Sequence, residues 1–303
     1  MSTFKPGSHY AFAAPIPDAD TGHIVRKMFD IAYADRSPAQ RLDIYWPDVG
    51  NGPFPVIVAI HGGAFMGGDK RDAQLEPMLA GLARGYAVVS INYRMSGEAT
   101  FPALVHDVKA AIRWVRANAV RYLFDPGRIA VWGGSAGGYL ALMAGVSAGA
   151  PELDDPALGH GKQSSSVQAV VDWFGPTDFL KMDEQLAASG LAPAAAYAHS
   201  GANSPESLIL GRTITEIPEL VRAANPESYL HAGIPPLFIQ HGNRDDVVPY
   251  QQSVNFAAMA HAIAGTAVVT LELLPGAGHA DLAFATTQNV QKVLAFLDQA
   301  LRP

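Results

Sequence analysis

The run Gly133-Gly134-Ser135-Ala136-Gly137 sets one hydroxyl among small residues, directly after the apolar stretch Arg128-Ile-Ala-Val-Trp132. That pattern specifies a strand, a sharp turn and a helix. Larger neighbours would collide with the flanking strand and helix. The strained turn lifts the serine clear of the backbone, close to a helix N-terminus. A hydroxyl presented in this way suits acyl transfer through a covalent intermediate, given a base, an acid and donors for a developing oxyanion.

Candidates for all three stand at the ends of other apolar runs. Upstream, Val56-Ile-Val-Ala-Ile60 leads into His61-Gly62-Gly63-Ala64-Phe65, a turn whose backbone N–H groups can point into a crevice. Downstream, Pro236-Leu-Phe-Ile-Gln240 precedes His241-Gly-Asn-Arg-Asp245-Asp246, and Val268-Val-Thr-Leu-Glu-Leu273 precedes Pro275-Gly-Ala-Gly-His279. Serine, acid and histidine therefore follow one another in an order known for hydrolytic triads. Each piece also has a plain structural reading. Gly62-Gly63 could be a tight turn, Asp245 a turn-former and His279 an exposed residue at a helix start. All of these would have to hold together at four strand ends in register. The acid is open between Asp245 and Asp246, with Asp178 a more remote alternative.

Stepping outward from these residues, strands alternate with helices, which specifies a mostly parallel sheet covered on both faces. His23–Ala34 and Arg41–Trp46 read as two strands beginning the sheet as an antiparallel edge. Tyr86–Asn92 is the strand after the glycine-rich turn. The segment 102–120 carries Val105, Val108, Ile112 and Val115 at helical spacing. Asp125-Pro126-Gly127 turns the chain into the serine's strand, and Tyr139–Met143 continues the helix beyond it. After a polar loop at 151–166 comes the strand Val167–Trp173. The segment 176–230, rich in Ala, Ser and Pro, interrupts the alternation and reads as an insertion above the strand ends, covering the site. The first 22 residues read as either a tail or part of that cover, and the whole chain, 1–303, as one domain.

Composition narrows the function classes. The chain has 303 residues with 49% hydrophobic content, enough for a large core. Its formal charge of −7, without a basic stripe, argues against nucleic acid. There is no cysteine, hence no disulfide frame, no thiolate metal site and no cysteine nucleophile. The ten histidines form no metal-spaced cluster, so no metal and no cofactor is expected. Gly159-His-Gly-Lys162 lacks the leading glycine and the following Ser/Thr of a phosphate loop. No apolar run reaches bilayer length and no export signal opens the chain, so a cytoplasmic location is expected.

The chain resembles bacterial α/β-hydrolase esterases of the hormone-sensitive-lipase-like group and, more closely, the feruloyl and acetyl xylan esterase-like (BD-FAE) branch. The matching stretches are HGGAFMGGDK (61–70), NYRMSGEATFPA (92–103), HDVKAAIRWVR (106–116), DPGRIAVWGGSAGG (125–138), DWFGPTD (172–178), HGNRDDVVPY (241–250) and LPGAGH (274–279). The likeness runs from about residue 40 to the end and is weak in the insertion. It implies an α/β-hydrolase fold with a mostly parallel eight-stranded sheet flanked by helices, and a helical insertion at 176–230.

Carried over position by position, the resemblance implies Ser135 as nucleophile, Asp245 as acid and His279 as base. It implies Gly63, Ala64 and Ala136 as the oxyanion-hole amides. Two departures stand out. Ala64 replaces a third glycine, which is tolerable with a negative φ. Gly134 stands where relatives usually carry an acidic residue. His61 is expected to shape the turn through a backbone hydrogen bond. Phe65, Met66, Trp173 and Phe174 are candidates for an apolar substrate pocket, with core packing the plain alternative. The implied activity is hydrolysis of short-chain acyl esters. An amide or formamide hydrolase is the runner-up, and a non-catalytic ligand receptor, which would usually have lost the serine or histidine, ranks last. The expected partner is a small-molecule ester. Edge strands of such sheets often pair between subunits, so a homodimer is a further expectation.

Overall fold

The computed structural model describes residues 16–192 and 198–301. The expected tail at 1–22 lies largely outside this range. In its described part, Asp18 pairs with Asp72 in a short antiparallel bridge.

Eight strands form one sheet: β1 (Lys27–Ala32), β2 (Arg41–Tyr45), β3 (Phe54–Ile60), β4 (Ala87–Ile91), β5 (Phe124–Gly134), β6 (Ala169–Trp173), β7 (Leu237–Gly242) and β8 (Val269–Leu274). Their order in space is β1-β2-β4-β3-β5-β6-β7-β8. The pairs β1–β2 and β2–β4 are antiparallel, as the sequence implied for the first edge, and the rest are parallel. Asp125-Pro126-Gly127 does turn as expected, with Asp125 Oδ1 accepting from Gly127 N at 2.9 Å. The strand nevertheless starts earlier than Arg128, because Phe124 already pairs with Phe54 before the register shifts.

Burial on both faces explains the apolar runs. All seven residues of β3 are buried. Val56, Val58 and Ile60 share one core with Val105, Val108, Ile112 and Val115 of the helix Ala103–Ala117. Ile57 and Ala59 pack on the opposite face with Leu294 and Leu297 of the helix Thr287–Leu301. Each such aliphatic side chain contributes about 1.5–3 kcal/mol by leaving water. The 151–166 segment is less open than its polarity suggested, because Leu153 and Leu158 are anchored in the core. Between β6 and β7 the insertion holds the helices Met182–Ser189, Pro205–Leu210 and Pro218–Ala224. Among the described residues, no helix is long and apolar enough to cross a membrane.

From β3 the chain crosses first to β4 on one side and later to β5 on the other. This reversal opens a crevice at the carboxyl ends of β3 and β5. Ile60 pairs with Gly133, so the turn after β3 and the serine after β5 arrive side by side.

One buried group near this crevice sits uneasily. Asp172, on β6, is fully buried, and burial pushes its carboxyl up to about 7, although the Gly175 N–H donating to Oδ1 at 2.9 Å works the other way. Its Oδ2 has no hydrogen-bond partner. The folded value lies above the unfolded one near about 4, so the native state retains a proton that the unfolded chain loses as pH climbs. Stability from this group is present below about pH 4 and lost as pH rises towards about 7. Asp172→Asn is therefore expected to raise the Tm by several degrees at pH 8 and to change it little at pH 4. Equal differences at both pH values in calorimetry would remove buried charge as the cause.

Candidate active site

Ser135 lies at the sharp turn between β5 and the helix Ala136–Val146, with φ 56° and ψ −123°. A non-glycine residue there is strained, by about 1–3 kcal/mol, and the surrounding chain must hold it. It does so through close backbone approach: a Cβ on Gly137 would run into the carbonyl oxygen of Ile60, and one on Gly133 into that of Gly137. The Ser135 N–H donates to Trp173 O at 2.8 Å, tying the turn to β6. Gly134 has its own reason. A Cβ there would lie 3.1 Å from the Phe174 ring, so that ring fills the room a larger side chain would need.

The three residues separated in sequence converge. Ser135 Oγ is 2.9 Å from His279 Nε2, and His279 Nδ1 is 2.7 Å from Asp245 Oδ2. Because Asp245 can only accept, Nδ1 carries the proton and Nε2 presents its lone pair to the Ser135 hydroxyl. The Phe174 ring packs edge-on against the imidazole, 4.8 Å between centroids.

Asp245 is fully buried, and burial alone would raise its pKa. The charge of His279 and the hydrogen bonds from His241 and His279 outweigh that and hold the carboxyl well below the usual carboxylate range. Oδ1 also accepts the N–H groups of Val247 at 2.9 Å and Val248 at 2.8 Å. Neither alternative acid is placed this way. Asp178 caps the turn Phe179–Lys181 and accepts from Asn225 Nδ2 at 3.1 Å, while Asp246 is half-buried in the loop beyond Asp245.

The turn after β3 offers the donors. Gly62 O faces His61 Nδ1 at 2.8 Å, and Gly63 O accepts from Met66 N and Gly67 N at 2.9 and 3.0 Å. In a trans peptide the C=O and the next N–H point oppositely, so pinning these carbonyls turns the Gly63 and Ala64 N–H groups the other way. Among the described residues neither amide donates to an acceptor. Ala136 N–H opens the helix next to Ser135. The condition attached to Ala64 is not met: its φ is 53°, and Phe65 follows at 62°. Two successive left-handed residues keep the turn tight, and Ala64 bears a strain that glycine would not.

The pocket candidates divide. Phe65 is buried against Tyr139 and Phe179. Trp173 is buried, donates to Gln240 Oε1 at 2.8 Å and packs on Trp132. These two belong to the core, where bulky aromatic side chains at strand ends usually go. Phe174 is also mostly covered but borders His279, and Met66 alone of the four is partly exposed. Two surface clefts, of about 540 and 620 Å³, open elsewhere, around Arg94–Ala103 and around Ile24–Trp46; neither is lined by Ser135, Asp245 or His279.

Sequence reading gave His241 no role beyond a strand end. Its Nε2 faces Asp245 Oδ2 at 3.1 Å and Val248 O at 2.8 Å, two acceptors, so it donates there and accepts from Ser253 Oγ–H at 2.7 Å through Nδ1. The signal was a histidine four residues before the acid.

The model of the BD-FAE family matches residues 42–259, which is most of the chain. The chain belongs to the BD-FAE family. It is 36% identical over 284 residues to Esterase LipQ of Mycobacterium tuberculosis, covering 92% of this chain and 60% of that one. With the probable carboxylic ester hydrolase LipM of the same organism it shares 34% identity, covering 80% of this chain and 54% of LipM. The BD-FAE chain thus spans little more than half the length of these curated relatives. Among solved structures, a truncated carbohydrate esterase from gut microbiota shares 31% identity with a TM-score of 0.83, covering 94% of this chain and all of that one. Thermogutta terrifontis esterase 2 phosphonylated by sarin shares 26% identity with a TM-score of 0.69, covering 92% and 98% of the two chains.

The geometry ranks the three acids sharply. Asp245→Asn is expected to lower kcat by about four orders of magnitude, because the amide disrupts the imidazole tautomer. Asp178→Asn and Asp246→Asn should each change kcat less than about fivefold, within the range of an indirect effect. Steady-state kinetics on the three variants checks this, and a large loss in either of the latter two would reassign the acid.

Proposed function

We propose that this BD-FAE chain is a serine carboxylesterase that hydrolyses short-chain acyl esters through an acyl-enzyme. The observation that carries this is the relay from Ser135 Oγ through His279 to Asp245, at 2.9 and 2.7 Å. Supporting it are the unpaired amides of Gly63 and Ala64 on the facing turn, and the esterases among its relatives.

The reaction runs in two halves. His279 Nε2 takes the Ser135 proton as Oγ attacks the ester carbonyl, and Asp245 stabilises the imidazolium that forms. The N–H groups of Gly63, Ala64 and Ala136 receive the negative charge on the carbonyl oxygen. His279 then gives its proton to the leaving alkoxide, and the alcohol departs. Water, deprotonated by the same imidazole, attacks the acyl-enzyme and releases the acid, restoring the Ser135 hydroxyl. The preference for short acyl groups rests on the likeness to the esterase branch, and Met66 is the partly exposed apolar side chain on the turn.

Turnover of p-nitrophenyl esters from acetate to laurate, wild type beside Ser135→Ala, tests the reading. Rates are expected to be highest on acetate and butyrate, and Ser135→Ala should lower kcat by about four to six orders of magnitude. A loss below tenfold in the variant would reject Ser135, and a maximum at laurate would reject the short-chain preference.

A further inference from the structure

The first peptide of the turn after β3 is clamped at both ends by side chains from elsewhere. His61 O accepts the Tyr93 hydroxyl at 2.9 Å, and the Gly62 N–H donates to Gln74 Oε1 at 2.9 Å. Gln74 lies against the elbow itself. A Cβ placed on Gly62 would be 2.9 Å from Gln74 Oε1, 3.3 Å from Ser135 Cβ and 2.7 Å from Gly134 O. No motif singled out Gln74.

The far end of the Gln74 amide is also fixed. Its Nε2 donates to Asp72 Oδ2 at 3.0 Å, and its own backbone N–H donates to Asp72 Oδ1 at 3.0 Å. Asp72 is buried and takes a further N–H, from Asp69, at 3.1 Å. A carboxylate that only accepts decides which way the amide lies: Nε2 towards Asp72, Oε1 towards Gly62. The loop holding both residues is tied to the start of the described chain, with Ala19 N donating to Arg71 O at 2.7 Å and Ala73 N to Pro17 O at 2.8 Å.

Peptide planes are rigid and joined only through φ and ψ at each Cα. Holding the His61–Gly62 plane fixes the frame from which the Gly62 φ and ψ, with Gly62 O held at His61 Nδ1, aim the Gly63 N–H at the carbonyl oxygen. Glycine at 62 has no side chain of its own to restrain those angles. We propose that Gln74, oriented by Asp72, is a positioning residue for transition-state stabilisation: it holds the Gly62 peptide so that the Gly63 amide points at the developing oxyanion. The inference rests on the esterase reading above, in which that amide receives the charge. Residues 17–19 are the outer brace of the same arrangement.

The test uses the full chain with Gln74→Met, which keeps the side-chain length and removes the acceptor. On p-nitrophenyl acetate, kcat is expected to fall about tenfold with KM within about twofold, less than the 10²–10³ lost with an oxyanion donor itself. Affinity for an aryl trifluoromethyl ketone, whose adduct on Ser135 carries the same oxyanion, should weaken by the same factor. Affinity for the product acid and the Tm should stay close to wild type.

Asp72→Asn, nearly isosteric, is the second variant. With one oxygen in place of two it cannot accept from Asp69 N, Gln74 Nε2 and Gln74 N together, which loosens Gln74 and should lower kcat and ketone affinity in the same direction. Unchanged kcat in both variants, or a fall in kcat with ketone affinity preserved, overturns the role of Gln74 while leaving the esterase reading intact. A wild type that neither hydrolyses esters nor binds the ketone overturns that reading and this inference together.

Discussion

Three backbones meet at van der Waals distance beneath Ser135, and the site depends on that approach. The end of β3, the elbow after β5 and the first turn of the following helix can come together only because Gly62, Gly133 and Gly137 have no Cβ. The contact holds the positive φ of Ser135 and brings the Gly62 backbone against it. The energy that sustains the strained turns comes from the sheet, where β3 and the 129–134 part of β5 are buried on both faces. The local strain is a few kcal/mol, small against that burial.

The second constraint is electrostatic. A carboxylate as deeply buried as Asp245 would ordinarily take up a proton, and a neutral acid could not stabilise an imidazolium. Two backbone N–H groups and two imidazoles keep it ionised. The loop after β7 therefore has to fold back on its own carboxylate, and His241, itself fixed by Ser253, completes the set. Asp172 shows the contrary case: it is equally buried but receives one N–H, and its carboxyl is pushed up rather than down. The His279 charge and the hydrogen bonds around the carboxyl, rather than depth, separate the two aspartates.

Much of this was legible in the sequence. The apolar runs at Val56–Ile60 and Arg128–Trp132 read as doubly buried strands because such strands cannot alternate. Gly133, Gly137 and His279 read as chemistry because each stands at a strand end in the right order. Gln74 and His241 were not legible as positioning groups, since a glutamine or a histidine becomes one only through what the fold sets opposite it. The φ of Ala64 was not legible either. Its side chain permits a negative φ, but the Gly63–Gly67 turn imposes a positive one. Phe65 and Trp173, pocket candidates with core packing as the plain alternative, are buried in the core.

Phe174 joins the two constraints. It too has a positive φ, 46°, and that conformation turns its ring across the elbow rather than along β6. There it occupies the space beside Gly134 and lies edge-on to His279. A longer side chain at 134 would meet that ring. An aromatic ring at that distance restrains the imidazole by packing. It also leaves Asp245 as the carboxylate in contact with His279 among the described residues. The small residue at 134 is therefore what lets the Phe174 ring reach the base, and the strained φ of Phe174 is tied to the packing of the catalytic imidazole.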